Sequence, residues 1–310
     1  MSGPRLTHAR LSDPDASLEA AFVPDAGMLC CSLRHRGEEL LAQNSGVAAY
    51  AREGKTMGIP LLYPWANRLA AFEYTVEGRA VAVPHDPSRV ALDDNGLPIH
   101  GVIAARLTWE LTELPGGEAH SLTARASWDD SRPDLFEVFP FRHDLEYSAR
   151  LHVGRLEIAL TVYASGADAV PLAFGFHPYL VPSGTDRAGW LVELPAMRHL
   201  ELDAEQIPRA PGDAEPARSF ALAAHTFDDG FDSVAERARF AVTGGARRIE
   251  LGLLEGYSCA QVFAPPGGQF ICFEPMTAPA NALRSGAGLR LLRPGERHRA
   301  AFAVSVSDVR

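Results

Sequence analysis

The chain has 310 residues, 46% of them hydrophobic, and a formal net charge of −10 at pH 7. It has no basic stripe of the kind that nucleic-acid-binding proteins carry and no run of 18 apolar residues, so we expect neither a nucleic-acid nor a membrane partner. Four cysteines without a CxxC spacing (Cys30, Cys31, Cys259 and Cys272) and an N-terminal segment, MSGPRLTHARLSDPDAS, without an apolar run predict a cytoplasmic protein with neither a disulfide framework nor a signal peptide.

Alternation of apolar and polar residues with a period of two, which is typical of β-strands, recurs along the chain. The stretches predicted as strands are residues 79–86, 106–114, 145–153, 155–164 and 300–308. Gly154 separates the third from the fourth and predicts a hairpin. Residues 232–240 are the best helix candidate, and the Pro-rich residues 207–219 predict a long loop. Many short strands predict a large antiparallel β-sandwich that forms one domain over residues 1–310.

Two stretches in the first third of the chain combine a constrained backbone with polar side chains. In GIPLLYPWANRLA (58–70) a glycine and two prolines precede Trp65, Asn67 and Arg68. Asn and Arg offer directional hydrogen bonds to hydroxyl groups, and a Trp face suits a sugar ring. In DDNGLPIHGVI (93–103) a proline and a glycine hold His100 at the end of a loop. Each stretch alone is equally compatible with an ordinary solvated loop.

The stretch AFGFHPYL (173–180) places a titratable histidine at the end of a predicted strand. Alternation puts its two phenylalanines on one face and Ala173, Gly175 and His177 on the other. A glycine within a strand often marks the close approach of a ligand or of another backbone, and the proline after His177 ends the ladder of hydrogen bonds. The alternative is a buried histidine with one satisfied hydrogen bond.

Two acidic stretches complete the set of candidates. TFDDGFDSV (226–234) holds three aspartates around a glycine, and QFICFEPMTAPANAL (269–283) places Glu274 directly after an apolar strand. Burial of Glu274 would raise its pKa and make it a better base near neutral pH. The alternatives are a solvated or calcium-binding turn for the first stretch, and a Glu that reaches water or an arginine for the second.

Together and in this order, the motifs PWANR, LPIHG, GFHPYL, FDDGF and FEPMTAPANA resemble the aldose 1-epimerase (galactose mutarotase-like) family. The sequences of GFHPYL and of the C-terminal motif are more similar to the divergent bacterial branch of that family than to its best-known galactose enzymes. The resemblance covers residues 58–282. It implies a β-supersandwich fold and an isomerase that interconverts the α and β anomers of a free aldose by acid–base ring opening and closure. It also implies a small-molecule sugar as the partner, no cofactor and no metal.

The resemblance assigns roles to individual residues. It implies that Glu274 is the base toward the C1 hydroxyl, that His177 is the acid toward the ring oxygen, and that His100 assists at the same oxygen. The substrate-binding residues that it implies are Asn67, Arg68 and Asp228, with Asp229 as the alternative register. Stacking of Trp65 on the sugar ring is a separate prediction, because it rests only on the chemistry of the indole.

Other functions stay open from the sequence. A hexose-6-phosphate 1-epimerase would need an arginine cluster, and only Arg68 lies inside a motif. Two histidines and a glutamate could form a metal-binding triad, and Asp228 with Glu274 could form the carboxylate pair of a glycoside hydrolase, although the histidines would then have no role. A non-catalytic carbohydrate-binding module is the remaining alternative. We expect a monomer or a homodimer.

Overall fold

The computed structural model describes residues 6–113, 120–182 and 184–309. The strands, in chain order, are β1 (Ala9–Asp13), β2 (Leu18–Val23), β3 (Leu29–His35), β4 (Glu38–Glu39), β5 (Leu61–Leu62), β6 (Glu73–Val76), β7 (Arg79–Ala82), β8 (Val90–Leu92), β9 (Pro98–Val102), β10 (Glu110–Glu113), β11 (Ser121–Trp128), β12 (His143–His152), β13 (Arg155–Tyr163), β14 (Val170–Leu172), β15 (Gly175–Phe176), β16 (Tyr179–Leu180), β17 (Leu191–Leu194), β18 (Met197–Leu202), β19 (Pro208–Glu215), β20 (Arg218–Ala221), β21 (Phe227–Asp232), β22 (Arg239–Gly244), β23 (Arg247–Glu255), β24 (Cys259–Ala264), β25 (Ile271–Met276), β26 (Arg290–Leu292) and β27 (Arg297–Asp308). The helices are α1 (Val47–Glu53), α2 (Pro133–Phe136) and α3 (Ala282–Ser285), with single 3₁₀ turns at Pro24–Ala26, Ala104–Arg106 and Arg187–Gly189. None of the α-helices in these ranges has the length and hydropathy that a bilayer crossing requires.

Two large antiparallel sheets confirm the predicted sandwich. One has nine strands in the order β10-β11-β12-β13-β27-β23-β22-β17-β20, and the other has eight, with β19-β18-β21-β24-β25-β15-β5 in sequence and β16 beside β25. Aromatic side chains join their inner faces: Phe176 and Phe302 have ring centroids 5.1 Å apart, and Phe240 and Phe273 lie 5.4 Å apart. The main apolar cluster draws side chains from Ala9 to Val304 and includes residues of both sheets.

The strand predictions differ in how closely the structure follows them. β12 and β13 form the expected hairpin, with His152 paired to Arg155 across the turn, and residues 300–308 lie within β27. The first predicted strand ends early, at Ala82. The second begins late, at Glu110, because a 3₁₀ turn occupies Ala104–Arg106, and its last residue, Leu114, lies outside the described residues.

Two predictions about the segment between residues 207 and 240 are wrong. The expected helix at 232–240 is absent from this described segment, because Ser233 and Arg237 have φ angles of +56° and +62°, and left-handed residues cannot continue a right-handed helix. The expected loop at 207–219 instead supplies β19 and β20. β19 tolerates its prolines because it is the edge strand of the eight-stranded sheet, where a missing N–H disrupts no interior pairing.

The eight-stranded sheet presents one face to the sandwich core and the other to the motif residues. On β25, Phe273 lies in the core cluster, and alternation turns its neighbour Glu274 to the opposite face. The paired strands add side chains to that face, because residues opposite each other in a ladder point the same way. Gln261 pairs with Glu274, and Asp228 pairs with Phe263.

Candidate active site

The predicted strand AFGFHPYL is broken at His177-Pro178 into β15 and β16, and both halves pair with β25. The break brings His177 beside Glu274, with Nε2 lying 3.3 Å from Oε1. Gly175 permits the arrangement, since a Cβ at this position would lie 2.6 Å from the carbonyl oxygen of Pro275. The expectation that this glycine marks a close backbone approach is thereby confirmed.

Tyr179 supports the imidazole of His177. The two rings stack with centroids 4.3 Å apart and planes within 4°, and the phenol oxygen lies 3.4 Å from His177 Nε2. The same phenol oxygen is 2.6 Å from Oγ1 of Thr56. Stacking and hydrogen bonding together restrict the rotation of the His177 ring.

His100 occupies β9 in a left-handed conformation, with φ at +61°. The next residue, Gly101, has φ at +72°, and a Cβ there would overlap the carbonyl oxygen of Tyr63. The N–H of Asn67 donates to His100 Nδ1 at 3.3 Å, so the neutral ring carries its proton on Nε2. The ring centroids of His100 and His177 are 5.5 Å apart, which places His100 at the same centre.

Arg68 links the remaining polar residues. Its Nε donates to Asp93 at 2.8 Å, and its Nη2 donates to Asp228 at 3.3 Å. Asn67 Oδ1 accepts from the Arg68 backbone N–H at 2.8 Å. Gln261 donates to the other oxygen of Asp228 at 2.7 Å, so both oxygens of this carboxylate are held.

The neighbouring Asp229 takes a different partner. Its Oδ1 lies 3.0 Å from Nε2 of His199, on the side away from Arg68 in the strand alternation. Of the two registers considered from the sequence, Asp228 is therefore the one that the structure brings to Arg68.

Burial sets the protonation of the central pair. Burial, and secondly the Asp228 carboxylate, raise the pKa of Glu274 well above its ordinary value. Burial, and secondly His100, lower the pKa of His177 well below its ordinary value. Burial, followed by the Arg68 cation, lowers the pKa of His100 to about 3. His100 is therefore a neutral hydrogen-bond donor, and Glu274 and His177 hold one proton between them near neutral pH.

Two buried atoms of this pair have no hydrogen-bond partner within the described part of the chain: Oε2 of Glu274 and Nδ1 of His177. Unsatisfied buried polar atoms are costly, by about 1–3 kcal/mol each, so two of them on adjacent titratable side chains call for an explanation, and a role in ligand binding or catalysis is one.

A cleft of about 780 Å³ opens beside this centre. Residues 53–56 and 91–95 line it, together with Arg68, Pro87, Ile99, His100, Gln206 and Asp228. His177 and Glu274 are only 4% and 2% exposed and are not among the lining residues. Each lies next to one that is: His100 contacts His177, and Asp228 accepts a hydrogen bond from Gln261, which pairs with Glu274 in the neighbouring strand. The cleft therefore leads toward the buried pair.

Trp65 does not join this group. It is 1% exposed and lies in the main hydrophobic core, and a ring covered by core side chains offers no face to a sugar. The structure therefore gives the predicted stacking of Trp65 no support.

Three residues of the site were not assigned a role from the sequence: Asp93, Tyr179 and Gln261. Asp93 begins the stretch DDNG, which is a turn signal, but its partner Arg68 lies 25 residues away. Gln261 has no sequence signal at all, because its role comes from its ladder position opposite Glu274.

The arrangement gives no support to metal coordination. Within residues 6–113, 120–182 and 184–309, no group of three or more His, Cys, Asp or Glu side chains is placed to hold a metal ion. The four cysteines are buried free thiols.

Comparison with known proteins identifies the family. The sequence model of the aldose 1-epimerase family matches residues 16–305, and an uncharacterized protein, YihR of Escherichia coli K12, is 27% identical over 251 residues, or 79% of this chain and 77% of YihR. A galactose mutarotase-like protein from Clostridium acetobutylicum has the same fold, with a TM-score of 0.81 at 15% identity over 98% of this chain and 99% of that one. Galactose 1-epimerase from Lactobacillus acidophilus superposes with a TM-score of 0.73 at 14% identity over 99% of this chain and 100% of that one. Because the family match spans most of its length, the chain belongs to the aldose 1-epimerase family.

Proposed function

We propose that the protein is an active aldose 1-epimerase that interconverts the α and β anomers of a free aldose. The observation that carries the proposal is the buried pair of Glu274 and His177, 3.3 Å apart, in which Oε2 and Nδ1 have no partner among the described residues. Such a pair supplies one base and one acid, and mutarotation requires both.

The reaction moves one proton off the sugar and another onto it. Glu274 accepts the proton of the C1 hydroxyl while His177 gives a proton to the ring oxygen. The bond between C1 and the ring oxygen breaks, and its electron pair stays on that oxygen as C1 becomes an aldehyde carbon. Rotation about the C1–C2 bond presents the other face of C1, and closure returns both protons.

The protonation of the pair suits a reversible reaction. Because burial disfavours both charged forms, the proton of the pair resides on Glu274 in the free protein. The reactive form, with Glu274 ionised and His177 protonated, forms when the hydroxyl and ring oxygen of the sugar supply hydrogen bonds to the pair, and the two residues exchange roles when the direction reverses. The Nε2–H of neutral His100 then stabilises the ring oxygen as its charge changes.

Asn67, Arg68 and Asp228 are the residues proposed to bind the sugar hydroxyls. Both oxygens of Asp228 and the guanidinium of Arg68 are already oriented by protein partners. Preorganised polar groups lose little entropy on binding.

The charge pairing in the cleft favours a neutral sugar over a hexose 6-phosphate. Lys55 lies 2.8 Å from Glu53, and Arg68 is bound by two carboxylates. Arg52 and Arg89, which pair with Glu53 and Glu137, are not among the residues that line the cleft. A phosphate would have to break the pairs of Lys55 and Arg68, whereas a neutral hydroxyl can share them.

Polarimetry, or anomer-resolved NMR, on freshly dissolved α-glucose and α-galactose tests the proposal, with glucose 6-phosphate alongside. We expect accelerated mutarotation of a free sugar, lost in Glu274→Gln and kept in Glu236→Gln, an exposed control. Accelerated mutarotation of glucose 6-phosphate alone would instead favour the hexose-6-phosphate 1-epimerase alternative. Sugar binding without accelerated mutarotation would indicate the binding-module alternative.

One-domain organisation, cytoplasmic location and a monomeric or dimeric state remain predictions.

A further inference from the structure

The cleft beside the acid–base pair is larger than one sugar ring. Its volume is about 780 Å³. A hexose has about 12 non-hydrogen atoms and, at the ~30 Å³ that a water molecule occupies in the liquid, fills about 360 Å³ at most. The cleft therefore has room for roughly two rings, and only one can be at Glu274 and His177.

The wall of the cleft includes an exposed apolar side chain. Leu92 is 38% exposed and lines the cleft. It is one of four large exposed apolar side chains in the described residues, with Val153, Leu191 and Val309. An exposed leucine in a concave wall is well suited to the C–H face of a pyranose, because burying that face removes apolar surface from water.

Two turns of the same construction contribute polar side chains to the wall. In one, Oδ1 of Asp93 accepts from the N–H groups of Asn95 and Leu97 at 3.0 and 2.8 Å. In the other, Oδ1 of Asp203 accepts from the N–H groups of residues 205 and 207 at 3.0 and 2.9 Å. These bonds hold both turns rigid, so the cleft wall exists before a ligand arrives.

The turns differ at the residue with positive φ. The first uses Gly96, at +77°, whereas the second uses Gln206, at +62°. Glycine is favoured in this conformation, and a side chain there is strained. The strained residue is also one that lines the cleft, so the second turn keeps an amide in the cleft where glycine would make the better turn.

From these observations, and resting on the proposed function, we propose that the preferred substrate is the reducing end of a neutral disaccharide or longer oligosaccharide. Its reducing ring lies at Glu274 and His177. The next ring occupies an outer subsite formed by Leu92, Asn95 and Gln206, with Leu92 against its C–H face and the two amides hydrogen-bonded to its hydroxyls. The chemistry at C1 is unchanged, because the second ring takes no part in it.

Anomer-resolved NMR on maltose, cellobiose and lactose, compared with glucose and galactose, tests the inference. We expect kcat/KM for at least one disaccharide to exceed that of both monosaccharides by about tenfold. This factor corresponds to the free energy of one to two added hydrogen bonds. Gln206→Gly removes the amide and relieves the strain, so the variant folds. It should lower the ratio of disaccharide to glucose kcat/KM by roughly three- to tenfold.

Leu92→Ala should lower the same ratio. Its matched control is Leu191→Ala, an equally exposed leucine, at 42%, on β17 outside the cleft, and this change should leave the ratio unaltered. Mutarotation of monosaccharides with no gain for any disaccharide would overturn the inference and leave the proposed function standing. An unchanged ratio in both Gln206→Gly and Leu92→Ala would also overturn it. No acceleration of any sugar would refute the proposed function, and the inference with it.

Discussion

Asp93→Asn is the sharpest test of how the cleft is held together. The Asp93 carboxylate pairs with Arg68 at 2.8 Å, and the two side chains are only 5% and 14% exposed. Asn keeps an oxygen for the two backbone N–H groups of the turn but removes the charge. Losing one partner of a buried pair costs about 3–5 kcal/mol. Arg68 retains Asp228, at 3.3 Å, so we expect a loss smaller than this range, about 2 kcal/mol of unfolding free energy, as for one hydrogen bond to a charged group.

Urea-induced unfolding and mutarotation kinetics measure the two consequences of this change. A guanidinium freed from Asp93 no longer holds Asp228 in one orientation, so kcat/KM should fall about tenfold, mainly through KM. Asp94→Asn is the matched control, because Asp94 is the exposed neighbour that lines the same cleft. If Asp93→Asn were no more destabilising than Asp94→Asn, the ion pair between Arg68 and Asp93 would not stabilise the fold as proposed.

Three further predictions concern the acid–base pair. His177→Asn and Glu274→Gln should each lower turnover by roughly two to four decades, and near-normal turnover in either variant would remove that residue from its role. Because burial raises the pKa of Glu274 and lowers that of His177, the singly protonated pair should persist through neutral pH. We therefore expect kcat/KM to stay level around neutral pH, to fall in acid as His177 gains a proton, and to fall in alkali as Glu274 loses one. A steep change of kcat/KM with pH around neutrality would contradict a shared proton. Tyr179→Phe keeps the ring stack on His177 but removes the hydroxyl that bonds to Thr56, so we expect a shifted pH profile and a loss of about 1 kcal/mol of unfolding free energy. The same loss of stability with an unshifted profile would leave Tyr179 a packing residue only.

Local signals in the sequence were sufficient for the strands and for several of the turns. Alternation on both sides of Gly154 predicted the hairpin of β12 and β13, because strand periodicity is a property of neighbouring residues. The same local reasoning failed at residues 232–240, where positive φ angles at Ser233 and Arg237 prevent the helix. Nothing in the residue types at those two positions demands a left-handed backbone.

The sequence by itself determined the class of fold and, through the resemblance of its motifs, led to the proposal of Glu274, His177 and His100 as site residues. Only the tertiary structure decided which side chains surround them. Gln261 faces Asp228 because β24 lies between β21 and β25, and Trp65 enters the core rather than the cleft. Both outcomes depend on contacts between residues far apart in the chain. The raised pKa of Glu274 also arises from this packing, because the burial that causes it exists only after the strands assemble.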